Sequence, residues 1–237
     1  MNEKFKEVSS MKKFISIVMA MCMVFTLGTT ALAADVNTTQ LSGNAAVQAI
    51  MDKVNAEYGT DFHFPTAAEL SKANLSNDNI ISDPTPEQLK LFEEQLRESA
   101  KSSSEINAKS KAAWEAALKE SGGVYYTKGS EGLDYVAEPM IRLPKFGSKK
   151  IVGATAKIEA WANDNSGYWA WEYVSVIECI RDYNTDLYFN MEDYNYTFID
   201  SKRTCTVNYI GTKWEKNILG WFMPSALTQY VEWWAGM

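Results

Sequence analysis

Residues 154–180 read ATAKIEAWANDNSGYWAWEYVSVIECI, and their periodicity decides the fold. Ala154, Ala156, Ile158, Ala160 and Ala162 alternate with Thr155, Lys157, Glu159 and Trp161. Successive side chains of a strand point to opposite faces, so this is a strand with one small apolar face and one polar face. Asn163-Asp164-Asn165-Ser166-Gly167 is a turn signal. After it, Trp169, Trp171, Tyr173, Ser175, Ile177 and Cys179 are expected on one face, with Ala170, Glu172, Val174, Val176 and Ile180 opposite. The stretch predicts an antiparallel hairpin.

Further strands are expected at 187–190, 194–199, 203–210, 217–222 and 227–234, with weaker ones at 124–127 and 135–142. Short strands separated by turns, with no long helical pattern between them, point to an antiparallel sandwich or barrel and away from parallel α/β folds.

Upstream the composition changes. Residues 34–123 hold one tryptophan, Trp114, and one tyrosine, Tyr58, whereas 124–237 hold seven tryptophans and eleven tyrosines. Gly122-Gly123 marks the border. Ala45, Val47, Ile50, Met51, Val54 and Tyr58 recur at helical spacing, with Gly59 placed as a C-terminal cap. Thr66-Ala67-Ala68-Glu69 has the form of a capping box and opens a short helix through Ala73. Thr85-Pro86-Glu87-Gln88 combines a cap, a proline at the first helical position and a glutamine at the third. The helix it opens is expected to reach about Glu120, with a break or frayed middle near Ser99 and Ser102–Ser104, where the apolar stripe thins.

The first 33 residues read as a secretory signal peptide. Lys12 and Lys13 precede an apolar run from Phe14 to Leu27, and Ala31-Leu32-Ala33 offers a cleavage site before Ala34. The run is short for a membrane span, which needs about 20 residues. Met11 is an alternative start. Lipidation at Cys22 is disfavoured by Met21 in front of it. The fold class expected is α+β: a signal peptide at 1–33, a helical region at 34–123, and an antiparallel β-sandwich-like domain of seven or eight strands at 124–237. The protein is expected to be secreted, with no membrane span once the signal is removed.

A net charge of −7 argues against a nucleic-acid partner, which requires a basic face. The single histidine, His63, removes multi-histidine zinc sites and most histidine-based catalysis. No cofactor is expected. Cys179 and Cys205 could pair in an oxidising compartment. If 187–199 were one long strand, they would lie at opposite ends of the sheet, and only a hairpin turn at Met191-Glu192-Asp193 would bring them to the same end. Asp182, Asn184 and Asp186 have the spacing of a calcium loop, but Leu187 stands where such a loop needs glycine. Glu159 and Glu172 could form a carboxylate pair on neighbouring strands.

The aromatic content of the β region is its most unusual feature. Trp161, Trp169, Trp171 and Tyr173 are the candidate ligand-binding residues, for a row of rings at alternate strand positions could stack on sugars. Against this, tryptophans on strands commonly form the core. The function expected is non-enzymatic extracellular binding of a glycan or protein partner. A secreted polysaccharide or peptidoglycan hydrolase and a self-assembling surface protein are the alternatives, and the sequence does not set the oligomeric state.

Overall fold

A computed structural model of the chain describes residues 45–77, 79–130, 142–165, 168–182 and 185–236. The signal segment, the expected strand over 135–141 and Asn184 lie outside the described residues. Among the described residues three helices come first: α1 (Ala45–Tyr58), α2 (Ala67–Ala73) and α3 (Pro86–Glu120). Seven strands follow: β1 (Tyr126–Thr127), β2 (Arg142–Ile151), β3 (Ala154–Asn165), β4 (Tyr168–Arg181), β5 (Leu187–Ile199), β6 (Thr204–Lys216) and β7 (Phe222–Trp234). The fold is α+β, with two antiparallel sheets ordered β1-β5-β6-β7 and β2-β3-β4.

The helix starts follow from local chemistry. At α2 the Thr66 hydroxyl accepts the Glu69 N–H, and the Glu69 carboxylate accepts the Thr66 N–H. Thr85 and Gln88 form the same reciprocal pair at α3, with Pro86 at its first position. Helix α3 runs unbroken for 35 residues, so the expected break is absent. Ser99, Ser103 and Ser110 are buried on it, and their small size lets the helix lie close to the strands.

Helix α3 also protects an edge. Strand β7 is the outer strand of its sheet, and an open edge invites pairing with other chains. Asn107 accepts the Thr228 N–H at 2.7 Å and donates to the Ala226 carbonyl at 3.3 Å, as a neighbouring strand would. Ser110 accepts the Tyr230 N–H at 3.1 Å. Asn107→Ala is expected to cost about 1–3 kcal/mol, since it strands two backbone groups. Chemical denaturation checks this, and an unchanged midpoint would contradict the clamp.

The long strands differ from the short ones expected. The strand expected at 203–210 runs on to Lys216 as one strand, β6 (Thr204–Lys216), while 217–221 form a turn. There the Asn217 side chain accepts the Leu219 and Trp221 N–H groups. The segment 187–199 is also one strand, with an irregularity between Met191 and Asp193 in place of a hairpin turn. Cys179 and Cys205 are free thiols, so the disulfide does not form. Burial pushes the Cys179 thiol up to about 12 and that of fully buried Cys205 higher still, which leaves both unreactive near neutral pH.

Residues from both sheets enter one apolar cluster: Ala154, Ala156, Ile158, Ala160, Ala162, Trp171 and Val174 from one, Phe189, Tyr209, Leu227 and Trp233 from the other. The small β3 residues leave room for the large rings. Gly147 serves the same packing, because a Cβ there would meet Trp233 Cε3 at 2.5 Å. Direct hydrogen bonds also tie the sheets: Trp171 Nε1 donates to the Trp233 carbonyl at 3.0 Å, and the Trp171 N–H to that of Lys202 at 2.7 Å. A second cluster joins Val47, Met51, Val54, Phe62, Phe92 and Leu96 to Leu219 and Met223, so the helices share a core with the end of the four-stranded sheet.

Candidate binding surface on the three-stranded sheet

The outward face of β2-β3-β4 is built row by row. Pro144 pairs with Trp161, and Trp161 with Tyr173. In the next row Phe146 pairs with Glu159, and Glu159 with Val176. Because the alanines and Ile158 of β3 turn into the core, Glu159 and Trp161 must turn out.

On β4 the expected alternation fails. Ala160 pairs with Val174 while Glu159 pairs with Val176, so Ser175 is an extra residue. Trp161 pairs with Tyr173 while Ala162 pairs with Trp171, so Glu172 is a second extra residue. Each extra residue reverses the faces beyond it. Trp171, Val174 and Ile177 therefore all point inward, and Tyr173 and Val176 point outward.

This divides the four candidate residues. Trp171 is 1% exposed and belongs to the core, which removes it from any ligand-facing row. Trp169 packs against the same core beneath the Lys145 ammonium, 4.1 Å from its ring. Trp161 and Tyr173 remain on the outer face, half-buried and stacked, with centroids 6.1 Å apart and planes inclined by 16°. Phe146 is the residue sequence reasoning missed. It is 70% exposed, and Val176 beside it is 38% exposed. Its position opposite the outward Glu159 is a matter of register, and only the β2–β3 pairing reveals it.

A shallow groove of about 250 Å³ runs over this face, lined by Phe146, Ser148, Lys157, Glu159, Val176 and Glu178. Lys157 and Glu178 form an exposed ion pair at 3.8 Å. The Glu159 carboxylate has no partner among the described residues and stands between two apolar side chains. The packing of α3 falls on β5, β6 and β7, away from this face. Aromatic rings beside a hydrogen-bonding carboxylate can hold a ligand that presents both apolar C–H faces and hydroxyl groups.

The other candidates are not assembled into sites. Asp182 pairs with Lys150 at 2.6 Å, and the Asp186 carbonyl accepts the Lys216 N–H. Among the described residues no group of three or more His, Cys, Asp or Glu side chains could hold a metal. Glu172 occupies the second bulge on β4, out of register with Glu159.

His63 is engaged at both ring nitrogens. Nδ1 lies 2.8 Å from the Asp61 carbonyl and Nε2 lies 3.1 Å from Glu69. Two acceptors call for two donors, which is the imidazolium form. Partial burial opposes that charge, but the Asp61 carbonyl and the Glu69 carboxylate outweigh it and raise the His63 pKa above 6.5. Glu69 is held at about 2, chiefly by the Thr66 N–H. The raised histidine stabilises the fold below 6.5, and that contribution is lost as pH climbs through the folded pKa. The lowered glutamate stabilises above 4.5, and its contribution is lost as pH falls toward about 2. The segment before α2 should thus be firmest between these limits. As the chain has one histidine, a proton NMR titration reads it directly, with a midpoint above 6.5 that drops in Glu69→Gln. A wild-type midpoint at or below 6.5 would contradict the pairing.

No protein-family model matches the chain, and neither the curated proteins nor the solved structures provide a match.

Proposed function

We propose that this is a secreted, non-catalytic binding protein that holds an extracellular glycan on the outward face of β2-β3-β4. In this reading the two sheets close as a sandwich over their shared cluster, and residues 1–33 direct export and are removed. The carrying observation is the outward aromatic face, where the Trp161–Tyr173 stack and the projecting Phe146 flank a Glu159 that has no partner among the described residues. A glycan fits better than a protein partner because Phe146 and Val176 stand beside the Glu159 carboxylate in a shallow groove, with the Trp161–Tyr173 stack in the neighbouring row.

The test is retention on insoluble polysaccharides and purified cell wall. Trp161→Ala is expected to weaken retention about tenfold, the equivalent of one aromatic stacking contact. Its melting temperature should fall far less than that of a core tryptophan variant. Retention equal to wild type would sink the assignment of this face.

A further inference from the structure

We propose that a second, separate cleft binds a neutral oligosaccharide. The cleft measures about 1010 Å³, at the upper end of ordinary ligand sites, and takes its lining from the segment before α2, from α2, from the end of β4 and from β5–β7. That is room for a short oligosaccharide rather than a single sugar.

Its charged side chains are already committed. Lys72 pairs with Glu192 at 3.4 Å, and His63 with Glu69 at 3.1 Å. Asp61 accepts the Ala226 N–H at 2.9 Å, and Lys128 donates to the Glu192 carbonyl at 3.0 Å. Arg181 donates to the Ala73 carbonyl and lies over the Tyr188 ring, 3.9 Å from its centroid. Glu178 pairs with Lys157. Four acidic side chains (Asp61, Glu69, Glu178, Glu192) face four cationic ones (His63, Lys72, Lys128, Arg181) around the cleft, so a charged ligand meets no net counter-charge.

What the cleft leaves uncommitted is neutral. The side chains of Asn74 and Asn190 have no partner among the described residues. Ser225 lines the cleft at 1% exposure, and its buried hydroxyl has no hydrogen-bond partner among the described residues. A buried hydroxyl without a partner is unfavourable, so a ligand that supplies one gains by it. An asparagine amide presents a donor and an acceptor in one plane, which matches adjacent hydroxyls of a sugar. Together these groups ask for a ligand dense in neutral donors and acceptors. The cleft shares the edge residue Glu178 with the aromatic groove but uses none of its rings.

The experiment is calorimetric titration of the full protein with cellotetraose, maltotetraose, chitotetraose and, for contrast, anionic tetragalacturonate and neutral tetra-alanine. At least one neutral tetrasaccharide should bind. Asn190→Ala and Ser225→Ala should each weaken it about fivefold to tenfold, the effect of one hydrogen bond. Ser225→Ala removes an unpartnered hydroxyl, so its melting temperature should hold or rise, which separates lost binding from lost folding. Trp161→Ala should leave this binding unchanged, so failure of the aromatic face and failure of the cleft are distinguishable. The proposal is overturned if no neutral tetrasaccharide binds, if tetragalacturonate or tetra-alanine binds in preference, or if binding is insensitive to both cleft variants.

Discussion

Trp171→Ala is expected to lower the unfolding free energy by about 3–5 kcal/mol, the range for truncating a fully buried large side chain. The indole sits where the sheets meet, against the β3 alanines, and those residues are too small to collapse into the space it would leave. The substitution also removes the Nε1 donor of the Trp233 carbonyl, a bond that joins the two sheets. Chemical denaturation of this variant beside Trp161→Ala measures the contrast. The two residues lie on adjacent strands, yet only Trp171 faces the core. If Trp171→Ala cost less than about 1 kcal/mol, the inward turn imposed by the Glu172 bulge would be wrong.

The second large effect concerns a buried cation. Lys213 is 3% exposed, and its ammonium contacts the Ser99 hydroxyl at 2.7 Å and Glu215 at 3.2 Å. The Ser99 hydroxyl donates to the same Glu215 oxygen at 2.5 Å, which closes a triangle between α3 and β6. Burial lowers the Lys213 pKa, and Glu215 partly offsets this. Glu215→Ala leaves the ammonium without its counter-charge and should cost about 3 kcal/mol, the low end for a broken buried pair because Glu215 is itself partly exposed. Replacing both partners, Lys213→Met with Glu215→Leu, should cost much less, because no charge is then left behind. The sign with pH follows from proton binding. A lysine whose folded pKa lies below 10.5 binds fewer protons folded than unfolded, so stability rises with pH between the folded value and 10.5. Glu215→Ala should steepen that rise, and a double replacement as costly as Glu215→Ala would contradict the account.

Local signals carried the helices. Thr66 with Glu69, and Thr85 with Pro86 and Gln88, mark their starts because capping involves only neighbouring residues. The serines of α3 misled because their use is tertiary. They look like a gap in an apolar stripe, and they are the places where the helix approaches the strands. Gly211 and Pro224 have the same character. Glycine and proline signal turns, yet Gly211 lies within β6, where a Cβ would run into the Asn190 carbonyl, and Pro224 lies on the edge strand β7, where a missing N–H is tolerated. The candidate surface was half legible. Period two on β3 placed Trp161 outward correctly, since β3 has no extra residue. On β4 the bulges at Glu172 and Ser175 depend on the partner strand, so Trp171 and Tyr173 were expected on one face and lie on two.

A glycan held on the outer face of the three-stranded sheet would leave the core untouched. Eight tryptophans give eight indole N–H signals, and nitrogen-correlated NMR can follow each as soluble cell-wall fragments and neutral β-glucan oligosaccharides are added. The Trp161 signal should shift while those of Trp171 and Trp233 stay fixed. Binding that moves Trp171 or Trp233 and spares Trp161, or an unchanged Trp161 signal with every sugar tried, would contradict this placement.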